Sequence, residues 1–113
     1  LIASSEWFAF VPAKEYFDEP GDHADELETS VMMHYHPELV NLDEAGDGNY
    51  KKFASQMLNE KVAWIPRNWQ KVSQDTGIGN PKKASAEKGK KYAEAVVAKY
   101  ALLFEELVHK ELY

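Results

Sequence analysis

The sequence predicts an α/β chain with few strands and a long C-terminal helix, and three observations carry that prediction. The stretch Trp7-Phe8-Ala9-Phe10-Val11 is aromatic and aliphatic and runs into Pro12, which suits a buried strand opening into a loop. Apolar residues recur three and four apart over residues 24–35, the spacing of an amphipathic helix. From Ser85 onward a wider stripe of Tyr92, Val96, Tyr100, Leu103 and Leu107, flanked by Ala93, Val97, Phe104 and Val108, predicts a second and longer helix.

Each element has its own local reason. The strand is placed within residues 1–11. Residues 12–21 contain two prolines, several charges and a glycine, which break any regular element and make a loop. In the first helix Ala24, Leu27, Val31 and Tyr35 share a face, acidic residues crowd the first turn, and Pro37 ends the pattern, with Asp22 or His23 near the cap. Residues 41–49 are polar and carry Gly46 and Gly48, a loop leading to a short helix over residues 50–58. Val62-Ala63-Trp64-Ile65 reads as a short strand, and residues 66–83, with Gly77, Gly79 and Pro81, as a long irregular segment. Ser85 is placed to cap the last helix, whose lysine-rich start, Lys82 to Lys91, reads as a solvated face.

Composition narrows the function classes. A chain of 113 residues that is 44% hydrophobic is long enough for one core. The net charge of -6, with no basic surface interleaved with aromatics, argues against nucleic acid as a partner. There is no cysteine, so disulfides, thiol nucleophiles and thiolate metal sites are excluded and any metal must use His, Asp or Glu. No apolar run reaches the roughly 18 to 20 residues of a membrane helix, and a soluble cytoplasmic protein is expected. The chain opens on Leu1, directly into apolar residues, from which we expect a segment upstream.

Two residues invite a chemical reading. Glu28 lies on the stripe of Ala24, Val31, Met32 and Tyr35, so its carboxylate is predicted to turn inward. An unpaired buried carboxylate costs on the order of several kcal/mol, so Glu28 needs a partner, and serves either as a hydrogen-bonded brace or as a site group. His23 follows Gly21-Asp22 at a loop-to-helix junction, where an imidazole acts either as a cap or as an acid or base near neutral pH. His34 and His36 face apart on either side of Tyr35, and the acidic loop 43–49 has Ala45 at a position where a calcium loop needs a ligand, with Ala54 beyond it where the bidentate Glu is required. Trp7, Trp64 and Trp69 are core or interface anchors by default, though Trp7 and Trp69 are also placed to line a pocket.

Read in order, the blocks Ser5-Glu6-Trp7-Phe8-Ala9-Phe10, Gly21-Asp22-His23-Ala24, Glu28-Thr29-Ser30, Pro37-Glu38-Leu39-Val40, Thr76-Gly77-Ile78-Gly79-Asn80-Pro81 and Ala84-Ser85-Ala86-Glu87-Lys88-Gly89 resemble the creatininase family. The resemblance implies a three-layer α/β/α fold, of which residues 1–113 would be the C-terminal portion of a single domain. It also implies a hydrolase of C–N bonds in cyclic or linear amides that works with a pair of divalent ions, zinc or manganese, commonly as a hexamer. Such ions acidify a bridging water, polarise the carbonyl and stabilise the oxyanion, leaving a side chain to protonate the departing nitrogen.

By the same resemblance His23 matches the proton-shuttling histidine and Glu28 the glutamate of the Glu-Thr-Ser motif; these are the catalytic candidates. Trp7 and Asp22 match positions at the substrate and are the substrate-binding candidates. The creatinine-hydrolysing members place a Trp-Asp pair where this chain has Glu19-Pro20, which argues against creatinine as substrate. The family's metal-ligand motifs do not occur here, so no metal ligand is assigned in this chain, and its partner is expected to be the N-terminal half of the same protein. A non-catalytic binding or assembly module that keeps this part of the fold is the alternative.

Overall fold

The computed structural model describes residues 2–9, 11–111 and 113. Among them run α1 (Glu26–Tyr35), two short helices α2 (Gln56–Asn59) and α3 (Trp69–Val72), and α4 (Ala86–His109). Single 3-10 turns lie at Ala13–Glu15, Pro37–Leu39, Leu42–Glu44 and Pro81–Lys83. Sheet pairing among the described residues is confined to one antiparallel bridge between His23 and Ile78. No helix among them is long and apolar enough to cross a membrane.

α1 starts because Asp25, in extended conformation, caps it: Oδ1 accepts from the Glu28 amide at 2.9 Å and Oδ2 from the Gly21 amide at 2.5 Å. It stops before Pro37, which drives His36 out of the helical region to φ -142° and ψ 62°. α4 starts as the sequence predicts, with Ser85 Oγ accepting from the Lys88 amide at 3.3 Å. Its exposed side carries lysine–glutamate pairs four residues apart, such as Glu87–Lys91 at 2.7 Å.

α1 packs mainly on α4. They meet at small residues: Ser30 is fully buried, its Oγ accepts from the Ser85 amide at 3.1 Å, and a Cβ placed on Gly89 would overlap the backbone of Ser30 and Val31. Around that contact Val11, Phe17, Leu27, Tyr92 and Val96 form the core, with Trp7, Tyr16 and Val31 packed against it. Tyr92 is its centre, 0% exposed, with the rings of Phe17, Tyr16 and Trp7 at 5.2, 5.4 and 6.2 Å. Its hydroxyl shares its one proton between the carbonyls of Val11 and Phe8, both at 3.2 Å. Burying a large apolar side chain contributes about 1.5–3 kcal/mol, so this small cluster helps hold the N-terminal segment to the helices.

A charged node closes the other end of the α1–α4 contact. Glu26, 0% exposed, accepts from Lys88 Nζ at 2.5 Å and from the Glu19 amide at 2.6 Å. Lys88 Nζ also donates to Asp18 at 2.8 Å and to the Lys83 carbonyl at 3.1 Å, so all three of its protons are placed.

Several expectations change. Residues 7–9 form a turn closed by Ala9 N–H donating to Glu6 O at 2.9 Å rather than a strand, because no neighbouring segment among the described residues offers an edge to pair with; Leu1 and Phe10 of that expected strand lie outside the described residues. Residues 62–65 are exposed and irregular for the same reason. The helix expected over 50–58 shrinks to α2, and the segment 66–83 contains α3. The cap of α1 is Asp25 and not Asp22 or His23.

The radius of gyration is 16.7 Å, where a closed domain of this length has about 13 Å. The distal half of α4 explains much of the difference: Val97, Leu102, Phe104 and Val108 are all more than half exposed and have no core beneath them among the described residues.

Candidate active site

The His23 loop is held by backbone from both sides. Ile78 O accepts from the amides of Asp22 at 2.8 Å and His23 at 3.0 Å, and Ile78 N–H donates back to His23 O at 2.8 Å. This explains the Gly77-Ile78-Gly79 run. A Cβ on Gly79, whose φ is +129°, would meet Asp25 Cβ at 2.7 Å and Gly21 Cα at 3.0 Å, so only glycine lets the strap lie against the loop.

Directly after His23 the chain turns through Ala24 at φ +49°, a left-handed conformation that costs a residue with a Cβ on the order of 1 kcal/mol. Glu28 offsets that cost by reaching back one turn, its Oε2 accepting from the Ala24 amide at 2.6 Å. With Asp25 Oδ1 accepting from the Glu28 amide, this is a capping box shifted by one residue. The same Oε2 lies 3.6 Å from His23 Nδ1. That is beyond hydrogen-bond length, and it places Nδ1 of the imidazole on the side of the carboxylate.

Glu28 is not the buried carboxylate expected from its stripe. Its side chain is 39% exposed, and the carboxylate that α1 buries is Glu26. The face of α1 that meets α4 is Glu26, Leu27 and Ser30, because Lys88 supplies a counter-charge and Gly89 admits a serine, and Glu28 is thereby turned to the cleft.

Trp7 and Glu28 line the same cleft, of about 570 Å³, together with Ala24, Thr29, Met32 and Asp75. The amide of Gly77 and the hydroxyl of Ser73 hold Asp75 below the usual carboxylate range, so it is ionised at neutral pH. Trp7 also packs against the core, edge-on to Tyr92, which fixes its indole from behind.

Asp22 points elsewhere. Both of its carboxylate oxygens accept from Arg67, each at 2.7 Å, beside a second cleft of about 400 Å³. The carboxylate of Asp22 raises the guanidinium of Arg67 further above its already high value. Arg67 lies over the indole of Trp69, 5.6 Å from its centroid, and the ring of His23 rests 5.1 Å from the same indole. Arg67 was not foreseen, though its being the single arginine of the sequence was a signal. Glu19, where the Trp-Asp pair would begin, is engaged with Lys83 at 2.7 Å.

The residues present do not by themselves fit a metal centre. Among the described residues no three of His, Asp and Glu converge to hold an ion, whereas a catalytic zinc takes about three protein ligands. His34 and His36 do not pair, His36 Nδ1 lying instead 3.2 Å from Glu38.

The crystal structure of a proposed creatinine amidohydrolase from Bacteroides fragilis NCTC 9343 superposes with a TM-score of 0.91 at 60% identity, over 100% of this chain and 45% of that one. The chain therefore spans less than half of that relative, and shares its α/β creatininase-like fold, of which it presents a mostly helical part. No curated protein matches it. The creatininase family model, described as creatinine amidohydrolase, matches residues 3–104, and the chain belongs to the creatininase family.

Proposed function

We propose that the whole protein is a metal-dependent amidohydrolase that cleaves a C–N bond of a cyclic or linear amide, with this chain as the C-terminal portion of its single domain. The observation that carries the reading is the contact of His23 Nδ1 with Glu28 Oε2 at 3.6 Å, at the edge of a cleft that Glu28 shares with Trp7. Nε2 of His23 delivers the proton to the departing nitrogen. Glu28 holds the imidazole by its charge and holds the Ala24 turn by its hydrogen bond. Trp7 forms an apolar wall for the substrate, and Asp22 acts on the site through Arg67. The engagement of Glu19 by Lys83 speaks for an amide other than creatinine.

The zinc or manganese ions are held by residues outside this chain, in the N-terminal half of the protein. The exposed apolar stripe of α4 offers that half, or a second copy in a cytoplasmic homo-oligomer, a surface to cover.

Amide hydrolysis by the full-length protein supplied with zinc or manganese tests the reading, with creatinine and a panel of linear and cyclic amides as substrates. His23→Ala is expected to lower kcat by about 10²–10⁴-fold, the usual contribution of a positioned acid or base. Full activity in that variant would remove His23 from the chemistry. No hydrolysis of any amide by a protein that binds no stoichiometric zinc or manganese would favour the assembly-module alternative.

A further inference from the structure

Asp22, Arg67, Trp69 and His23 form a closed circuit of contacts. Asp22 and His23 are adjacent in the chain. From Asp22 the path runs through a bidentate ion pair to Arg67, from the guanidinium to the face of Trp69, and from Trp69 to the imidazole of His23. We infer that Arg67 is a positioning residue for His23, resting on the role proposed above for that histidine.

The need for such a device follows from exposure. The side chain of His23 is 46% exposed, and a ring so open has free rotamers unless something bounds it. Glu28, near Nδ1, and the indole of Trp69, near the ring, both bound it. Trp69 is itself 37% exposed on the one-turn helix α3, too short to be rigid alone, so its orientation depends on the guanidinium above it. Arg67 is suited to that task and lysine is not: the planar fork fixes its own orientation against both oxygens of Asp22 and offers a flat cation to the indole. A misplaced general acid is costly, since an error near 1 Å in a reacting group lowers turnover by about 100-fold.

The test compares Arg67→Lys and Arg67→Gln with the unmodified full-length protein by two readouts. The first is the imidazole carbon–proton resonance of His23 in protein labelled at histidine, which the neighbouring indole displaces by its ring current; Trp69→Leu identifies the displaced signal. Both Arg67 variants are expected to move that resonance toward the position seen in Trp69→Leu, with the lysine variant resembling glutamine rather than arginine. The second is the split between kcat and KM on whichever amide the full-length protein hydrolyses, where kcat is expected to fall by about 10- to 100-fold with KM little changed.

An unmoved His23 resonance in both variants, or a lysine variant with the kcat of the parent, would overturn the inference. If Arg67→Gln does not fold, Arg67→Lys, which keeps the charge and the stem, carries the test alone. The resonance does not depend on turnover, so a failure of the proposed hydrolysis is seen separately, in His23→Ala.

Discussion

Replacing Tyr92 by phenylalanine tests the account of the core at one oxygen atom. The ring is kept, and with it the edge contacts to Phe17, Tyr16 and Trp7 at 5.2, 5.4 and 6.2 Å. What is lost is the hydroxyl's donation to two carbonyls. Phe8 is half exposed, so water can replace the hydroxyl at its carbonyl, whereas the bond to Val11 is buried. Stranding one buried acceptor costs about 1–3 kcal/mol. In a chain of this size that lowers the melting temperature by roughly 4 °C or more per kcal/mol. A pH series read by circular dichroism adds an independent check, because burial raises the Tyr92 phenol above its ordinary value of 10.0. A raised value in the folded state means stability that is complete below pH 10.0 and lost as pH climbs through the folded value. The phenylalanine variant has no such loss. The gap in melting temperature between the two proteins is therefore expected to shrink above pH 10.0. A Tyr92→Phe variant as stable as the parent at neutral pH, or a gap that stays constant into the alkaline range, would refute the hydroxyl's assigned part.

Two further substitutions probe the α1–α4 contact. Gly89→Ala puts a methyl into the backbone of Ser30 and Val31 and is expected to destabilise, because overpacking costs about 1–3 kcal/mol against the roughly 1 kcal/mol that alanine gains over glycine in a helix; a urea midpoint equal to or above the parent's would contradict the close approach. Lys88→Met leaves the buried Glu26 with only the Glu19 amide, so a fall in melting temperature at neutral pH is expected. Its pH signature is specific: the hydrogen bond to Lys88 lowers Asp18, a contribution present above its ordinary 3.8 and lost as pH falls through the folded value, while Asp18 and Glu26 raise Lys88, a contribution present below 10.5 and lost as pH rises. The difference between parent and variant should therefore narrow at both ends of a pH–melting curve, and a difference independent of pH would speak against the node.

How much was legible in the sequence follows from which interactions are local. α4 and its Ser85 cap were readable because periodicity and a serine before it fix them without reference to anything distant. The same holds for the end of α1 at Pro37. The strands expected near residues 7–11 and 62–65 were not, since a strand exists only where another segment pairs with it, and composition says nothing of the pairing. Arg67 was missed for a related reason: it meets Asp22 across 45 residues, a contact no spacing rule reports.

The pair Glu26 and Glu28 shows the limit most sharply. An apolar stripe gives the face a helix would bury against an apolar neighbour, and by that rule Glu28 goes inward. The neighbour here is α4, whose contact surface is glycine and lysine as well as tyrosine and valine. Gly89 leaves room for the backbone of Ser30, and Lys88 donates to the carboxylate of Glu26, so the buried face rotates toward the polar residues. The rotation has a consequence for the site. It brings Glu28 out to the cleft, where one carboxylate oxygen both holds the left-handed turn at Ala24 and faces His23 Nδ1. A buried Glu28 would have done neither, and the lysine and glycine of α4, far from Glu28 in the sequence, are what put it there.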